Sequence, residues 1–441
     1  MGKSHRKRRK ELDWIELWTG VVISFYLLFM GVHGYVKFAT VKTITFYVLT
    51  GLLLLLGAAL LLRDLEKKRK LTPSPAQIAA LAYLGFTVLS ALCSEMGEKA
   101  WYNGDSHEAA VTVICYALVF LIVSRWGRPT ERLFRVFFWS VAAFCLICIL
   151  QILGANPLKL YPEGYSFYEG FSSKEKGLAG TVGNFDVVSA YLALAVPLLL
   201  LHTRGQKAKQ AWPCWVLAAC CLAIMFVVKV LGGLVGLVLG GVVCLAVLCP
   251  DGKRKWVLIA LGGLALAGLV VLWLFDLPGF FHELHELLHG RIDDKFGSGR
   301  IYIWRQIFER LPKRLWTGVG PDMTRFSGLE PFVRRDELGN LVLGSDGRPI
   351  TARITDAHCH PLQILYCQGL PAFLSWLGMV GIALYHWIKL RKDRAAAILG
   401  GGLICFLCAM LFCISSVIIM PFFWVTMGLI EAQYQKSKQS G

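Results

Sequence analysis

Charge is scarce in this sequence. Aspartate, glutamate, lysine and arginine make up 17% of its 441 residues, against about a quarter in ordinary soluble domains. Acidic residues are the scarcer sign, 29 against 46 lysines and arginines, for a formal net charge of +17. Hydrophobic residues are 56% of the chain and the mean hydropathy is +0.56. A water-soluble core of this size cannot hide so much apolar surface, so a soluble enzyme is excluded. A disordered or fibrous chain is excluded by the same numbers. No unit of about 20–50 residues repeats, which argues against a solenoid or propeller. Matched broken helices of the kind that mark inverted-repeat transporters are missing as well. What remains is an all-α, polytopic membrane helix bundle.

The 14 cysteines do not describe a disulfide scaffold. Most lie inside apolar runs, as Cys145, Cys148, Cys220, Cys221, Cys405, Cys408 and Cys413 do, and behave there as small apolar residues. Cys359 and Cys367 are the ones expected near water outside the cytoplasm, and the stretch between them is short to staple. No structural disulfide is expected.

About 20 apolar residues cross a bilayer as a helix. By that ruler the chain carries about twelve spans, near 14–36, 43–62, 75–94, 108–124, 133–153, 185–202, 212–228, 231–249, 256–275, 361–388, 395–418 and 420–432. The first follows a basic tail and lacks a small-residue cleavage site, so it reads as an uncleaved helix. With the N-terminus in the cytoplasm, 27 of the 46 lysines and arginines fall in short inner connections and tails, as the positive-inside rule requires. The basic excess is thus a matter of topology, and no nucleic-acid partner is expected. Both termini are then cytoplasmic. The expected organisation is a basic tail at 1–13, nine spans within 14–275, a large extracytoplasmic loop at 276–360, three spans within 361–432 and a short tail at 433–441. The large loop balances 12 basic with 12 acidic residues. It holds an amphipathic helix near Arg300–Leu311 and a turn at Ser345-Asp346-Gly347-Arg348-Pro349. A loop this long is ordinarily functional, so chemistry is expected on the outer face.

Four features there carry chemistry. Glycines surround Arg300 in Gly297-Ser298-Gly299-Arg300 and follow in Gly318-Val319-Gly320-Pro321. Arg300 therefore sits near a helix start, where backbone N–H groups also favour an anion. With Arg305, its planar fork suits a pyrophosphate; the alternative is a solvated helix with ordinary arginines. In Asp356-Ala357-His358-Cys359-His360, a neutral imidazole of either histidine could take a proton from a sugar hydroxyl. The alternatives are a metal pair or two interfacial polar residues. Lys229 is a lone cation in an apolar hairpin, either functional or reaching for outer headgroups. Finally, His285-Glu286-Leu287-Leu288-His289 has zinc-protease spacing but lacks a third ligand with clear spacing; an interfacial amphipathic helix accounts for it better.

Three blocks in order resemble the O-antigen ligase and polysaccharide polymerase family. They are Gly180-Thr181-Val182-Gly183-Asn184 leading to Ala190-Tyr191-Leu192-Ala193-Leu194 and Pro197; Gly299-Arg300-Ile301 with Trp304 and then Gly318-Val319-Gly320-Pro321; and Ala357-His358 with Leu362-Gln363 and Gly369-Leu370. The resemblance covers roughly residues 170–385. Cys359 replaces the family's asparagine, Lys229 falls where a Ser-Arg pair is common, and Phe185-Asp186 interrupts the first block. The resemblance implies an inverting, metal-independent glycosyltransferase of the cytoplasmic (inner) membrane, with its active face outside and no cofactor. The donor would be a glycan on undecaprenyl pyrophosphate and the acceptor a glycan or glycolipid hydroxyl. Arg300, Lys229 and Arg305 would hold the pyrophosphate, and His358 with Arg300 would carry the chemistry. The alternatives are a polymerase of the same family, or a lipid-linked glycan flippase or transporter.

Overall fold

A computed structural model describes residues 13–32, 34–69, 71–102, 104–161, 180–333, 341–344 and 347–440. In chain order the helices are α1 (Trp14–Val21), α2 (Phe38–Glu66), α3 (Pro75–Leu92), α4 (Lys99–Tyr102), α5 (Ala110–Trp126), α6 (Glu131–Ile152), α7 (Phe185–His202), α8 (Ala208–Val228), α9 (Leu231–Leu248) and α10 (Asp251–Leu274). There follow α11 (Phe280–Leu288), α12 (Phe296–Arg314), α13 (His360–Gln368), α14 (Leu370–Lys389), α15 (Arg394–Ala409) and α16 (Met420–Ser440). Among the described residues, eight helical segments are long and apolar enough to cross a membrane, counting α13 and α14 as one, and α5 and α15 are shorter apolar helices. The all-α polytopic bundle is therefore what the chain builds. Among the described residues one small sheet pairs β1 (Phe332–Val333) antiparallel with β2 (Thr351–Ala352).

Side-chain caps set several of these starts. Asp13 accepts from the Ile15 and Glu16 N–H groups, Asn184 from Asp186 and Val187, and Ser74 forms a reciprocal box with Gln77; each satisfies backbone donors that a helix start leaves free. At the centre lies α7, the most buried of the apolar spans. Glycines on α9 let α15 come close. A Cβ on Gly236 would stand 2.3 Å from Ala409 Cα, and one on Gly240 2.4 Å from Cys405 Cα. This small-residue seam is how helices associate where lipid removes the hydrophobic incentive. By contrast α10 has no buried residue.

Three spans differ from expectation; the one expected over 395–418 ends at Ala409, as α15. The one expected over 14–36 stops early: α1 runs into a π-helical turn at Val22–Tyr26 and helix ends at residue 28. Lys42 Nζ donates to the freed Tyr26 carbonyl and, at 2.8 Å, to that of Leu27; Thr181 Oγ1 reaches Leu27 O at 2.7 Å. A broken helix is tolerated in a bundle when side chains take up its carbonyls in this way. Lys42, which falls between the first two expected spans, is fully buried. The span expected over 361–388 is two helices, broken at Gly369.

Candidate functional site

The break at Gly369 is where a loop strand docks. Leu370 N donates to Leu315 O at 2.7 Å, Val319 N to Tyr366 O at 3.1 Å and Gly320 N to Cys367 O at 2.8 Å. The approach leaves no room for side chains. A Cβ on Gly318 would lie 2.3 Å from Cys367 O, and one on Gly369 2.3 Å from Trp316 O. The Gly-Val-Gly run and the Gly-Leu pair, separate in sequence, are thus the two halves of one backbone joint. Ser94 and Ser90 of the N-terminal half fasten it, donating to Val319 O (2.8 Å) and Cys367 O (3.1 Å).

That joint aims α12 at the entry to α13. Trp304 Nε1 donates to Ala357 O at 2.8 Å. Arg300 donates through Nη1 to Gly297 O and through Nη2 to Phe412 O at 2.7 Å, while His360 N donates to Met410 O at 2.8 Å. Arg300 and the 357–360 turn are therefore pinned to the same stretch beyond the end of α15. Arg300 lies within electrostatic reach of His358. Arg300 Nε and His358 Nδ1 are both buried without a hydrogen-bond partner. Burial, helped by the Arg300 charge, pushes the His358 imidazole down to about 4, so it is neutral at pH 7.

Asp356 received no role from the sequence, yet it shapes this turn. His358 has φ +50, a left-handed conformation that is costly for a residue other than glycine or asparagine. Asp356 Oδ1 accepts the His358 N–H at 2.6 Å and closes the turn. The carboxyl is 2% exposed and burial raises it to about 7. Asp186, in the first turn of α7, lies within electrostatic reach of Arg300. Residue chemistry alone marked neither acid: Asp356 acts through the turn it closes, and Asp186 meets Arg300 from a distant part of the chain.

The other candidates lie apart. Lys229 caps α8 with φ +56 and an exposed side chain. The hairpin it begins does reach the site, because a Cβ on Gly232 would meet Phe412 O at 3.0 Å. Arg305 is about half exposed and paired with Asp294 at 2.6 Å, so its fork is already occupied. His360 is buried against Trp376 and lines a separate cavity of about 20 Å³ with Glu108 and Asp322, enough for about one water. Asp322 accepts the Ser106 and Glu108 N–H groups at 2.9 and 3.0 Å, tying the N-terminal half to the joint. On α11, Glu286 is paired with Arg291 at 2.8 Å, and the Nδ1 atoms of His285 and His289 bond to Leu272 O and His285 O. Among the described residues no three His, Cys, Asp or Glu side chains group as metal ligands. The tip of the expected 345–349 turn lies partly outside the described residues; beside it, Leu343 pairs with Pro349.

Fold and site together define a multi-pass helical membrane protein whose polar side chains gather at a joint between a loop helix and a broken span. Residues 216–377 match the family model described as O-antigen ligase (Wzy_C), and over that segment the chain is similar to that family. No curated protein matches the chain. The match supports an O-antigen ligase/polymerase-type membrane enzyme. The matched segment contains Lys229, Arg300, Arg305 and His358; the block at 180–184 lies before it.

Proposed function

We propose that the protein transfers a glycan from undecaprenyl pyrophosphate to a hydroxyl of a glycan or glycolipid acceptor, on the outer face of the cytoplasmic membrane, with inversion and without a metal. The observation that carries this is the convergence of Arg300 and the turn that holds the neutral, half-buried His358 on one stretch of backbone. His358 accepts the proton of the acceptor hydroxyl as that oxygen bonds to the anomeric carbon. The bond from that carbon to the pyrophosphate oxygen breaks, and undecaprenyl pyrophosphate leaves with the electron pair. Arg300 stabilises the charge that develops there, the larger catalytic contribution in such sites. A positioned base adds about 10²–10⁴-fold. Lys229, at the tip of the neighbouring hairpin, supplies a second cation for the same anion, and Arg305 assists once Asp294 releases it. The large loop over 276–360 forms the outer cover in this reading.

The pyrophosphate also tunes the base. Burial is the main reason His358 is a weak base, and the Arg300 charge is the second. Donor binding offsets the Arg300 charge and lifts the imidazole towards its ordinary range, so the base strengthens when the leaving group arrives. The test is turnover of a polyprenyl-pyrophosphate-linked oligosaccharide by the purified protein in lipid with EDTA present, comparing wild type, His358→Ala and Glu286→Gln. Transfer should survive EDTA and Glu286→Gln and be lost in His358→Ala. Full activity in His358→Ala would overturn the assignment. Product mass separates transfer to a different acceptor from growth on a second polyprenyl-linked glycan, which is the polymerase reaction.

A further inference from the structure

Helix α7 starts beside Arg300, through Asp186, and α9 starts with Gly232 against Phe412. α7 has 18 residues, roughly 27 Å at 1.5 Å per residue, so the far ends of both helices lie well away from Arg300. Two cavities meet there. One, of about 500 Å³, is lined by Arg204, Asp251, Arg391, Lys392, Asp393 and Arg394 among others. The other, of about 700 Å³, is lined by apolar residues and glycine, with Arg204 as its single charged side chain. Both volumes are in the range of ligand sites. The two share Leu201, Arg204, Leu248, Cys249 and Pro250 as walls.

The charged side chains of the first cavity are not equally occupied. Arg394 is paired with Glu131 at 2.5 Å and donates to His202 O, and Arg391 is paired with Asp251 at 3.0 Å. Asp393 accepts from Ala396 N at the start of α15 and from Gln433 Nε2. Lys392 stands 3.9 Å from Asp251, already shared with Arg391 and Arg254, and is 85% exposed. Arg204 is exposed, and its Nη2 donates only to a neutral group, Leu248 O at 3.3 Å. Among the described residues it has no carboxylate partner. Arg204 and Lys392 are thus the cations of this cavity with donors left for an anion.

The neighbouring cavity selects the kind of anion. It reaches from Arg204 towards the middle of the bundle, as far as Val196, Leu222 and Leu237. Trp215 Nε1 donates to Thr203 Oγ1, next to Arg204, at 3.1 Å, and Trp215 is 45% exposed. An exposed tryptophan near the end of an apolar span marks headgroup depth, so Arg204 stands at the level of lipid phosphates with the apolar cavity on its bilayer side. Positive-inside topology accounts for basic residues at this end, but not for an apolar hollow beneath an arginine that lacks an acid. A soluble phosphate would leave the apolar cavity unused, and a lipid without net charge would leave Arg204 and Lys392 unused. We infer that the two cavities together bind one anionic phospholipid, with its phosphate on Arg204 and Lys392 and an acyl chain in the apolar cavity. The site is independent of the reading of Arg300 and His358.

The test is native mass spectrometry of the full chain in neutral detergent, titrated with phosphatidylglycerol and, separately, with phosphatidylcholine. Wild type should retain one phosphatidylglycerol at concentrations where phosphatidylcholine is lost; equal retention of the two would overturn the anionic assignment. Arg204→Gln should weaken retention by at least about tenfold, more than the roughly fivefold that one charge near a membrane surface supplies. Lys207→Gln removes an exposed lysine at the same end but outside both cavities. Equal losses in these two variants would reduce the effect to surface charge and overturn the site. Gly241 lines the apolar cavity, and a Cβ there meets nothing within 4 Å, so Gly241→Leu fills that space without a clash and should also release the lipid. Undiminished retention in Gly241→Leu would take the acyl chain out of the cavity and overturn the site. Competition then fixes the ligand. Inorganic phosphate displacing phosphatidylglycerol at equal concentration would make the ligand a soluble anion, and undecaprenyl phosphate displacing it at lower concentration would make it a polyprenyl lipid; either result overturns the phospholipid assignment.

Discussion

Gly318→Ala is the sharpest probe of how the site is built. Gly318 has φ +69 and Gly328 has φ +78, so alanine at either position carries the same left-handed backbone cost, roughly 1–2 kcal/mol. Their surroundings differ. Nothing lies within 4 Å of a Cβ on Gly328, whereas one on Gly318 would be 2.3 Å from Cys367 O. Relief of that contact requires the 315–320 strand to lift from the 366–370 break. The three backbone hydrogen bonds across the joint would then be lost or lengthened, at roughly 0.5–1.5 kcal/mol each. Gly318→Ala should therefore destabilise the protein by about 3 kcal/mol more than Gly328→Ala. Thermal unfolding in detergent, followed by intrinsic tryptophan fluorescence, ranks the two, and glycan transfer reads the consequence. Gly318→Ala should lose most transfer because α12 and Arg300 are aimed by this joint, while Gly328→Ala should keep it. Indistinguishable melting curves for the two variants would refute the reasoning.

Other outcomes follow from the same geometry. Arg300→Ala should lower kcat by about 10²–10³-fold, the loss typical of removing one stabiliser of a developing anion, with thermal stability nearly preserved; wild-type turnover would remove Arg300 from the chemistry. Asp356→Asn retains an oxygen for the His358 N–H and should keep most of kcat, whereas Asp356→Ala should lose it with little change in donor KM; equal activity in the two would deny the turn its role. For the free enzyme, the His358 contribution to the acid limb of kcat/KM should fall near pH 4, because its neutral form persists below the ordinary histidine range. The corresponding limb of kcat should sit at higher pH, since bound pyrophosphate offsets Arg300; coincident limbs would refute that coupling. Asp356, raised to about 7, keeps its proton in the folded protein where the unfolded chain has lost it, so its stabilising contribution is present at low pH and fades as pH rises through 7. Melting curves of wild type and Asp356→Asn should diverge over that window, and a constant difference would place Asp356 in water.

Much was legible in the sequence because membrane spans are written in local hydropathy. A helix that must satisfy its own backbone in lipid announces itself by length and apolarity, and most of the expected spans have their helices. The family blocks were legible for a related reason. A glycine that admits a backbone neighbour, or an arginine beside such glycines, is fixed by residue type, and Gly318, Gly369 and Arg300 stand where that logic needs them. Tertiary structure decided what local pattern does not encode. The span expected over 14–36 stops early because Lys42 and Thr181 take its carbonyls from outside the helix. Arg305 and Arg300 are the same residue type five positions apart, yet one is spent on Asp294 and the other lies within electrostatic reach of His358. Asp356 became a positioning group only through the strained turn it closes. Hydropathy is a property of each segment, whereas burial, charge pairing and convergence belong to segments brought together from far apart in the chain.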